Sequence, residues 1–335
     1  MFSDLHYGEN PWDVWGPEQD LNSTRLMNTV LKDEQPDYVY PSVLNGDLIT
    51  GENTFRENST TLIDKIVAPL NAVKVPFSST QVFQNHDNQA NISHAEEILR
   101  EQKVAPLSYT RMAPTGVGGV GGPGNYWVPV YKQKTDASPA LILWFFDSRG
   151  GFSLGANSTS VSDWVDTSVA EWLGSETRAM NAAWGPAEKR GALAFVHIPP
   201  SIATDLQSNL DSESEPGLNA DSLAGEGSVQ ATTIASDSDK DNVFWDAVNE
   251  NIKNLHAVFS GHDHGDEWCA RDKQKDVIFC FGKHSGYGGY TGDGWGYGVR
   301  NLVFKSSEPT DGVETWIRLE DGETRARITL NKQYN

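Results

Sequence analysis

Short apolar runs bounded by turn residues recur along this chain, with amphipathic stretches between them. The apolar runs predict strands at 39–44, 140–146, 192–198, 256–260 and 277–281. The amphipathic stretches at 18–33, 54–72 and 162–183 carry their apolar residues on one face and predict helices. Alternating strands and helices are typical of βα units around a largely buried sheet. The sequence therefore predicts an α/β protein.

After Cys280 the pattern changes to short strands and turns, at 301–304, 314–319 and 325–330. Neither an internal repeat nor a clear linker divides the chain. We therefore expect a single domain over residues 1–335, whose part from 265 to 335 is rich in β-structure.

Two stretches depart from the βα pattern. The glycine-rich run 116–124 is not followed by Lys-Ser/Thr and does not join a strand to a helix, which excludes a phosphate-binding P-loop. It predicts a loop before a strand near Trp127. The segment 201–241 is rich in Ser, Asp, Glu and Gly and poor in aromatic residues. We call it the acidic excursion and expect it to lie on the surface, with some mobility.

The composition excludes several classes of protein. Aromatic residues make up 10% of the chain, which argues against disorder. The formal charge is −20, from 26 basic and 46 acidic residues, and this disfavours general nucleic-acid binding. Apolar runs fall well short of the roughly 18 residues that a membrane-spanning helix needs. We therefore predict no membrane span, and the sequence leaves the oligomeric state open.

Cys269 and Cys280 flank a charged segment that reads as a hairpin tip, so they form either one cross-hairpin disulfide or two buried free thiols. Asn-x-Ser/Thr sequons begin at Asn22, Asn58, Asn91 and Asn157. Together with the acidic surface, these features favour a secreted glycoprotein, and an intracellular location is the alternative. The first residues carry no signal-peptide pattern.

The residues best suited to metal binding or catalysis follow the predicted strands. They are Asp4-Leu5-His6, Gly46-Asp47, Asn85-His86-Asp87, His197 and Gly261-His262-Asp263-His264. Loops at the carboxyl ends of parallel strands converge at one edge of a sheet. Imidazole and carboxylate ligands without thiolate suit zinc, iron or manganese, and this set is too large for one tetrahedral ion. The sequence thus predicts two metal ions, an arrangement suited to phosphoryl displacement.

These motifs resemble those of the calcineurin-like metallophosphoesterases, which run Asp-x-His, Gly-Asp, Gly-Asn-His-Asp/Glu, His and Gly-His-x-His. The sequence around two of them, at 2–9 and 45–53, resembles the fungal and plant branch related to purple acid phosphatases. The match covers nearly the whole chain. The resemblance implies a four-layer α/β/β/α sandwich, with two mixed sheets flanked by helices.

The resemblance also implies roles for individual residues. One metal would be held by Asp4, His6, Asp47 and His264, and the other by Asp47, Asn85, His197 and His262. Asp47 would bridge a pair of divalent or trivalent ions, which could be zinc, iron or manganese. A hydroxide between the ions would attack a small phosphate mono- or diester. His86 would protonate the leaving oxygen, and Asp87 would orient the His86 ring.

Three departures from the family pattern affect these expectations. Gln84 stands where the family usually has Gly, and its side chain could displace Asn85 or narrow the pocket. Thr50 replaces the tyrosine of the purple enzymes, so we expect a colourless protein. Residues 1–3 form a shorter first strand than the family usually has, which predicts an N-terminally truncated copy.

Other residues are weaker candidates. Arg149, after an apolar strand, is either a ligand for the substrate phosphate or a surface arginine in a turn. His284 begins a loop of glycines and aromatic residues that could contact substrate or simply pack. We interpret His94 and His256 as structural.

Two rival functions remain at this point. A metal-binding scaffold of the same fold could have lost turnover, and Gln84 with the short first strand supports that reading. A carbohydrate- or surface-binding secreted module would use the aromatic loop but leave the metal-ligand motifs unexplained. Retention of those motifs together with His86 favours the enzyme.

Overall fold

The structure, a computed structural model, describes residues 1–36, 42–57, 59–80, 86–89, 91–306 and 308–335. The α-helices of these ranges are α1 (Trp15–Glu34), α2 (Thr61–Val73), α3 (His94–Val104), α4 (Thr167–Trp184), α5 (Ile202–Ser208) and α6 (Asn242–Asn251). Short 3-10 helices span Gly51–Asn53, Ala187–Lys189 and Ala235–Asp237. The strands are β1 (Ser42–Asn45), β2 (Phe77–Thr80), β3 (Tyr126–Val130), β4 (Leu141–Phe146), β5 (Gly191–Val196), β6 (Leu255–Ser260), β7 (Cys269–Asp272), β8 (Val277–Phe281), β9 (Gly298–Val303), β10 (Val313–Leu319) and β11 (Thr324–Leu330).

Six strands form one mixed sheet in the order β3-β4-β5-β6-β8-β7. The pairs β4–β5, β5–β6 and β6–β8 are parallel, whereas β3 and β7 add antiparallel edges. The strands β4 and β5 are buried along their whole length, as expected of a sheet covered on both faces. Their carboxyl ends, with that of β6, meet at one edge of the sheet.

The other strands are joined by the first residues of the chain. β1 pairs with β2 in parallel, and β9, β10 and β11 form an antiparallel set. Phe2 bridges to Leu44 on one side, and Ser3 bridges to His284 on the other. The amide nitrogen of Arg300 also donates to the Met1 carbonyl, at 3.2 Å. The N-terminal residues thus link the two sets into a second layer of β-structure.

Hydrophobic packing defines four layers. Residues of α4 and α6, including Trp172 and Phe244, pack on one face of the six-stranded sheet. Residues of α1 and α2, including Met27 and Ile66, cover the outer side of the second β-layer. A third cluster, with Phe195 and members of β10 and β11, fills the space between the layers. This is the α/β/β/α arrangement that the resemblance implies.

Most predicted elements are present, with shifted ends. The strand predicted at 277–281 has the same bounds in the structure, and the glycine-rich run is a loop before β3. The helix predicted from residue 54 begins only at Thr61, because turns occupy the preceding described residues. Part of the strand predicted at 39–44 lies outside the described residues. None of the described helices combines the length and apolar character needed to cross a bilayer.

The acidic excursion is not simply a surface segment. Leu223, Val229 and Gln230 are buried, and α5 occupies its first part. Its residues 218–220 lie beside 265–267, with hydrogen bonds from Ala220 N to the Gly265 carbonyl (3.0 Å) and from Glu267 N to the Leu218 carbonyl (2.8 Å). Most residues of the excursion are nevertheless exposed or half-buried, so a few buried residues fix an otherwise superficial segment onto the core.

Candidate metal centre

Six of the seven predicted metal ligands meet at the edge where the strands end. Together with His86, their potential ligand atoms form the groups Asp4–His6–His264, Asp47–His197–His262 and His6–Asp47–His86. The first two groups contain the described members of the two predicted ligand sets. Asn85 and Gln84 lie outside the described residues.

The backbone at this edge brings the side chains together. Asp4, His6, Asp47 and His262 all have positive φ, between 44° and 77°. Such a conformation costs about 1–3 kcal/mol at a non-glycine residue, and residues of this kind cluster at functional sites. Gly46 also has a positive φ, and a Cβ there would lie 2.3 Å from the His197 ring. The Gly-Asp motif therefore needs its glycine so that Asp47 can approach His197.

Three of the histidines hold one ring nitrogen on a backbone carbonyl. His197 Nδ1 bonds the Asn45 carbonyl at 2.7 Å, His262 Nε2 bonds that of Gly227 at 2.8 Å, and His264 Nδ1 bonds that of Tyr290 at 2.6 Å. A carbonyl only accepts, so the bonded nitrogen carries the hydrogen. In the neutral ring the other nitrogen then carries the lone pair, which is the form that binds a metal.

The opposite ring nitrogens face the carboxylates. His197 Nε2 is 3.4 Å from Asp47 Oδ2, and His264 Nε2 is 3.8 Å from Asp4 Oδ1. His6 Nε2 lies 3.2 Å from His264 Nε2 and 3.6 Å from Asp47 Oδ2. Ligands about 2.0–2.1 Å from a tetrahedral zinc ion would be separated by about 3.3 Å. The observed separations are close to that value.

Several buried polar atoms at this edge lack a hydrogen-bond partner within the described part of the chain. They are Asp47 Oδ1, His197 Nε2 and His262 Nδ1. Among the described residues, the ion-pair partners of Asp4 and Asp47 are histidines. Buried carboxylates are normally paired with cations or coordinate metals, because isolated burial is costly. The donor set therefore fits metal ions.

The pKa values follow from burial and from the close carboxylates. Burial lowers the pKa of His262 to about 4 and holds those of His6 and His264 well below the usual value. Burial raises the pKa of Asp4 to about 6. Burial also acts to raise the pKa of Asp47, but the neighbouring His197 more than offsets this and holds it well below its ordinary value. Burial acts to lower the pKa of His197 as well, but the charges of Asp47 and Asp4 more than offset this and raise it. The imidazoles of His6, His262 and His264 are thus ready to bind metal without first losing a proton, whereas His197 would release one.

His86 stands on the open side of the centre, and its ring centroid is 5.0 Å from that of His6. Its Nδ1 lies 2.5 Å from Glu52 Oε1. Burial acts to lower the pKa of His86, but the bond to Glu52 and the charge of Asp47 raise it to about 9. The ring can thus hold a proton on Nε2 while Glu52 fixes its orientation.

The predicted contact between Asp87 and His86 is replaced by the one from Glu52. Asp87 is fully buried, and its carboxylate accepts hydrogen bonds from the amides of Leu48 (2.8 Å) and Ile49 (2.6 Å). The buried backbone amides of Leu48 and Ile49 need acceptors, and the Asp87 carboxylate supplies them. Asp87 therefore supports the loop that carries Asp47. Sequence reasoning gave Glu52 no role. The signal was its place in Gly51-Glu52-Asn53, directly after the Gly-Asp motif.

The contacts of Arg149 are structural. Its guanidinium lies 4.3 Å from the centre of the Trp164 ring and 3.3 Å from Asp166 Oδ2. Its Nε donates to the Trp164 carbonyl at 2.8 Å. Arg149 is buried and is therefore not the surface arginine of the alternative reading. Its Nη2 is buried without a hydrogen-bond partner in the described structure, and a contact with substrate stays a prediction.

His284 is buried behind the centre. Its ring stacks on His264 with 3.8 Å between centroids, and its Nε2 bonds the Gly288 carbonyl at 3.0 Å. Tyr290 stacks on the other side of His264, at 4.1 Å. His284 thus holds a metal-ligand candidate in place, and substrate contact remains only a prediction.

The remaining candidates are also placed. Thr50 Oγ1 lies 3.5 Å from His6 Nδ1, so the Thr50 hydroxyl stands at the position of the tyrosine of the purple enzymes. His94 contacts Asp147 at 3.2 Å, and His256 bonds the Pro309 carbonyl at 2.5 Å, both within the fold as predicted. Cys269 and Cys280 form a disulfide, which decides between the two alternatives left open by the sequence.

Comparisons with known proteins agree with this fold. A crystal structure of a dimetal phosphatase from Danio rerio matches with a TM-score of 0.57 and 12% sequence identity, over 100% of this chain and 98% of that one. No family model matches the chain.

Plant and yeast proteins are similar to this chain in sequence. An Arabidopsis thaliana protein named probable inactive purple acid phosphatase 29 is 26% identical over 320 residues, which cover 90% of this chain and 75% of the relative. Phosphatase DCR2 of Saccharomyces cerevisiae is 27% identical over 304 residues, covering 90% of this chain and 48% of the relative. The fold is that of a dimetal phosphatase, and the resemblance to calcineurin-like metallophosphoesterases related to purple acid phosphatases is confirmed.

Proposed function

We propose that this chain hydrolyses small phosphate mono- or diesters at a centre of two metal ions. The observation that carries the proposal is the convergence of the histidine nitrogens on Asp4 and Asp47, with the opposite ring nitrogens of His197, His262 and His264 fixed on carbonyls. Two bound ions would supply an activated water and neutralise charge on the phosphoryl oxygens. Zinc, iron and manganese all suit these ligands.

Some of these residues would hold the metal ions, and His86 would transfer a proton. Asp4, His6 and His264 would hold one ion, and His197 and His262 the other, with Asp47 shared and Asn85 proposed as a further ligand of the second ion. His86, fixed by Glu52 through Nδ1, presents Nε2 to the leaving oxygen. Protonation of that oxygen by a positioned imidazole would favour departure of the alcohol. We place this whole site in one domain of 335 residues.

A second candidate is a metal-binding scaffold without turnover. It is favoured by the names of relatives, because three similar Arabidopsis proteins are called probable inactive purple acid phosphatases. The chain keeps His86 beside its candidate ligands, which supports the enzyme. Export is part of the proposal as well, supported by the disulfide, and an intracellular location is the alternative.

The test combines metal analysis with turnover of p-nitrophenyl phosphate and its bis-ester, with and without a chelator. We expect about two metal ions per chain and a chelator-sensitive rate, and the preferred ester identifies the substrate class. Two ions without turnover would favour the scaffold. Absence of bound metal from the folded protein would contradict both candidates.

A matched pair of histidine variants tests the site. His256 lies at the start of β6, and His264 follows the end of this strand. Both are buried, and the ring of each bonds one backbone carbonyl. Only His264 turns its second nitrogen toward Asp4. We therefore expect His264→Ala to lose one metal ion and at least about 100-fold in rate, of the order found when an essential catalytic contact is removed. His256→Ala should keep both ions, and equal losses in the two variants would contradict the assignment.

A further inference from the structure

The acidic excursion reaches the metal centre through the Gly227 carbonyl. This carbonyl accepts the hydrogen of His262 Nε2 at 2.8 Å. The other nitrogen, Nδ1, is buried without a hydrogen-bond partner in the described structure, and His262 groups with Asp47 and His197. The ring is therefore held in the one tautomer whose lone pair, on Nδ1, can reach a metal ion.

The loop that presents this carbonyl is fixed by polar side chains. Gly227 has a φ of 85°, and its amide donates to Thr232 Oγ1 at 2.9 Å. Gln230 is fully buried, donates through Nε2 to the Ile198 carbonyl at 2.8 Å and through its amide to the Pro199 carbonyl at 2.9 Å. Ile198 and Pro199 directly follow His197. The excursion thus connects the backbone behind one candidate ligand to the ring of another.

A second contact of the excursion supports His264. The Tyr290 hydroxyl donates to Asp221 Oδ2 and accepts from the His264 amide at 3.0 Å. The Tyr290 carbonyl accepts from His264 Nδ1, and the two rings stack. Asp221 is itself held by its amide, which donates to Asp266 Oδ1 at 3.3 Å. Asp221 therefore orients His264 through Tyr290.

We propose that the acidic excursion positions the metal ligands, with Gly227 fixing the tautomer of His262 and Asp221 fixing His264 through Tyr290. The metal-binding part rests on the function proposed above. The orientation of the two rings does not, because it follows from hydrogen bonds within the chain. Outer contacts of this kind change metal affinity by roughly 10- to 100-fold when they are lost.

A matched pair of glycine variants tests the first contact. Gly227→Ala and Gly155→Ala both add a methyl group at a positive φ, and neither Cβ meets an atom closer than 3.6 Å. The backbone strain is thus comparable, but only Gly227 bonds a histidine. Nitrogen-15 NMR of the histidine rings in the metal-free protein reports the tautomer of His262. We expect the Nε2–H form in wild type and in Gly155→Ala, and a mixture of tautomers in Gly227→Ala.

Zinc titration against a competing chelator provides the second readout. We expect Gly227→Ala to weaken one of the two sites by about 10-fold or more, while the other site and the Gly155→Ala protein stay unchanged. Asp221→Ala should instead weaken the site that contains His264, with Asp205→Ala, an exposed acid of the same excursion, as its control. This separation between two sites is not expected from a general loss of stability.

The outcomes are distinguishable. An unchanged His262 tautomer together with unchanged zinc affinity in Gly227→Ala would overturn the proposal. Equal loss in Gly227→Ala and Gly155→Ala would also overturn it, because backbone strain would then explain both. A wild-type protein that binds no zinc, iron or manganese would refute the proposed function, and the tautomer comparison would still decide whether the excursion positions His262.

Discussion

A histidine offers two ring nitrogens, and at this centre they have different tasks. One nitrogen of His197, His262 and His264 is bonded to a carbonyl, so the lone pair of the neutral ring lies on the other nitrogen. His86 differs, because its Nδ1 meets the carboxylate of Glu52. A carboxylate stabilises an imidazolium, whereas a carbonyl mainly sets the tautomer. In our proposal, these three histidines act with His6 as metal ligands, and His86 acts as the acid.

The role of Glu52 is testable with leaving groups of different quality. We expect Glu52→Gln to lower turnover of an alkyl phosphate by about 100-fold, within the range that general acids contribute. The loss for p-nitrophenyl phosphate should be about 10-fold smaller, since nitrophenolate leaves without protonation. Steady-state kinetics on the two substrates, with exposed Glu57→Gln as the control, measures this difference. Equal losses on both substrates would rule out a role for Glu52 in acid catalysis.

At the scale of elements, the hairpin β7–β8 carries a cross-strand disulfide. Cys269 and Cys280 are register partners and are both fully buried. The bridge closes a short loop at the edge of the six-stranded sheet, just after the segment that carries His262 and His264. It therefore restricts the unfolded chain close to the metal centre.

Removal of this bridge should lower stability without a change in fold. We expect the double variant Cys269→Ala/Cys280→Ala to lose about 3 kcal/mol in the free energy of unfolding, from the chain entropy of a loop of this length. Urea denaturation with and without dithiothreitol measures the loss. The reductant should destabilise the wild type and leave the double variant unaffected, and an equal response of both proteins would contradict the prediction.

At the scale of the whole molecule, a buried charge cluster joins the two β-layers. Glu267 accepts hydrogen bonds from Arg325 of β11 and lies 2.8 Å from Lys283 Nζ, which follows β8. Its backbone carbonyl also accepts from Arg300 of β9. Losing one partner of such a buried pair typically costs about 3–5 kcal/mol, because an uncompensated charge remains. The cluster thus fixes the second layer of β-structure against the six-stranded sheet.

This cluster predicts loss of stability in acid. Burial acts to raise the pKa of Glu267, but Arg325 and Lys283 more than offset it and hold the pKa below the ordinary 4.5. A carboxyl whose pKa is depressed by folding contributes stability above its unfolded value, and that contribution is lost as pH falls through the folded value. We therefore expect the free energy of unfolding to fall progressively below pH 4.5.

Urea denaturation from pH 7 to pH 3 on wild type, Glu267→Gln and the exposed control Glu308→Gln measures this dependence. The Glu308→Gln curve should follow that of the wild type. The Glu267→Gln protein should be less stable at pH 7 and less sensitive to acid. Parallel curves for all three proteins would show that groups other than Glu267 cause the loss of stability at low pH.

The sequence by itself determined the class of fold and the candidate ligands. Apolar runs such as 277–281 must be buried wherever they lie, so periodicity and turn residues locate strands before any contact is known. Asp4, Asp47 and the histidines follow such strands, and strand ends of a parallel sheet share one edge. These features are local in the chain and were therefore readable from it.

Only the tertiary structure decided which groups touch. Glu52 rather than Asp87 meets His86, Arg149 turns to Trp164, and the Gly227 carbonyl holds His262. Each of these outcomes depends on hydrogen bonds or ring contacts between segments far apart in sequence, and a backbone carbonyl has no signature in the residue letters. Spacing along the chain can place a histidine at a strand end, but the surrounding fold fixes which of its nitrogens remains free.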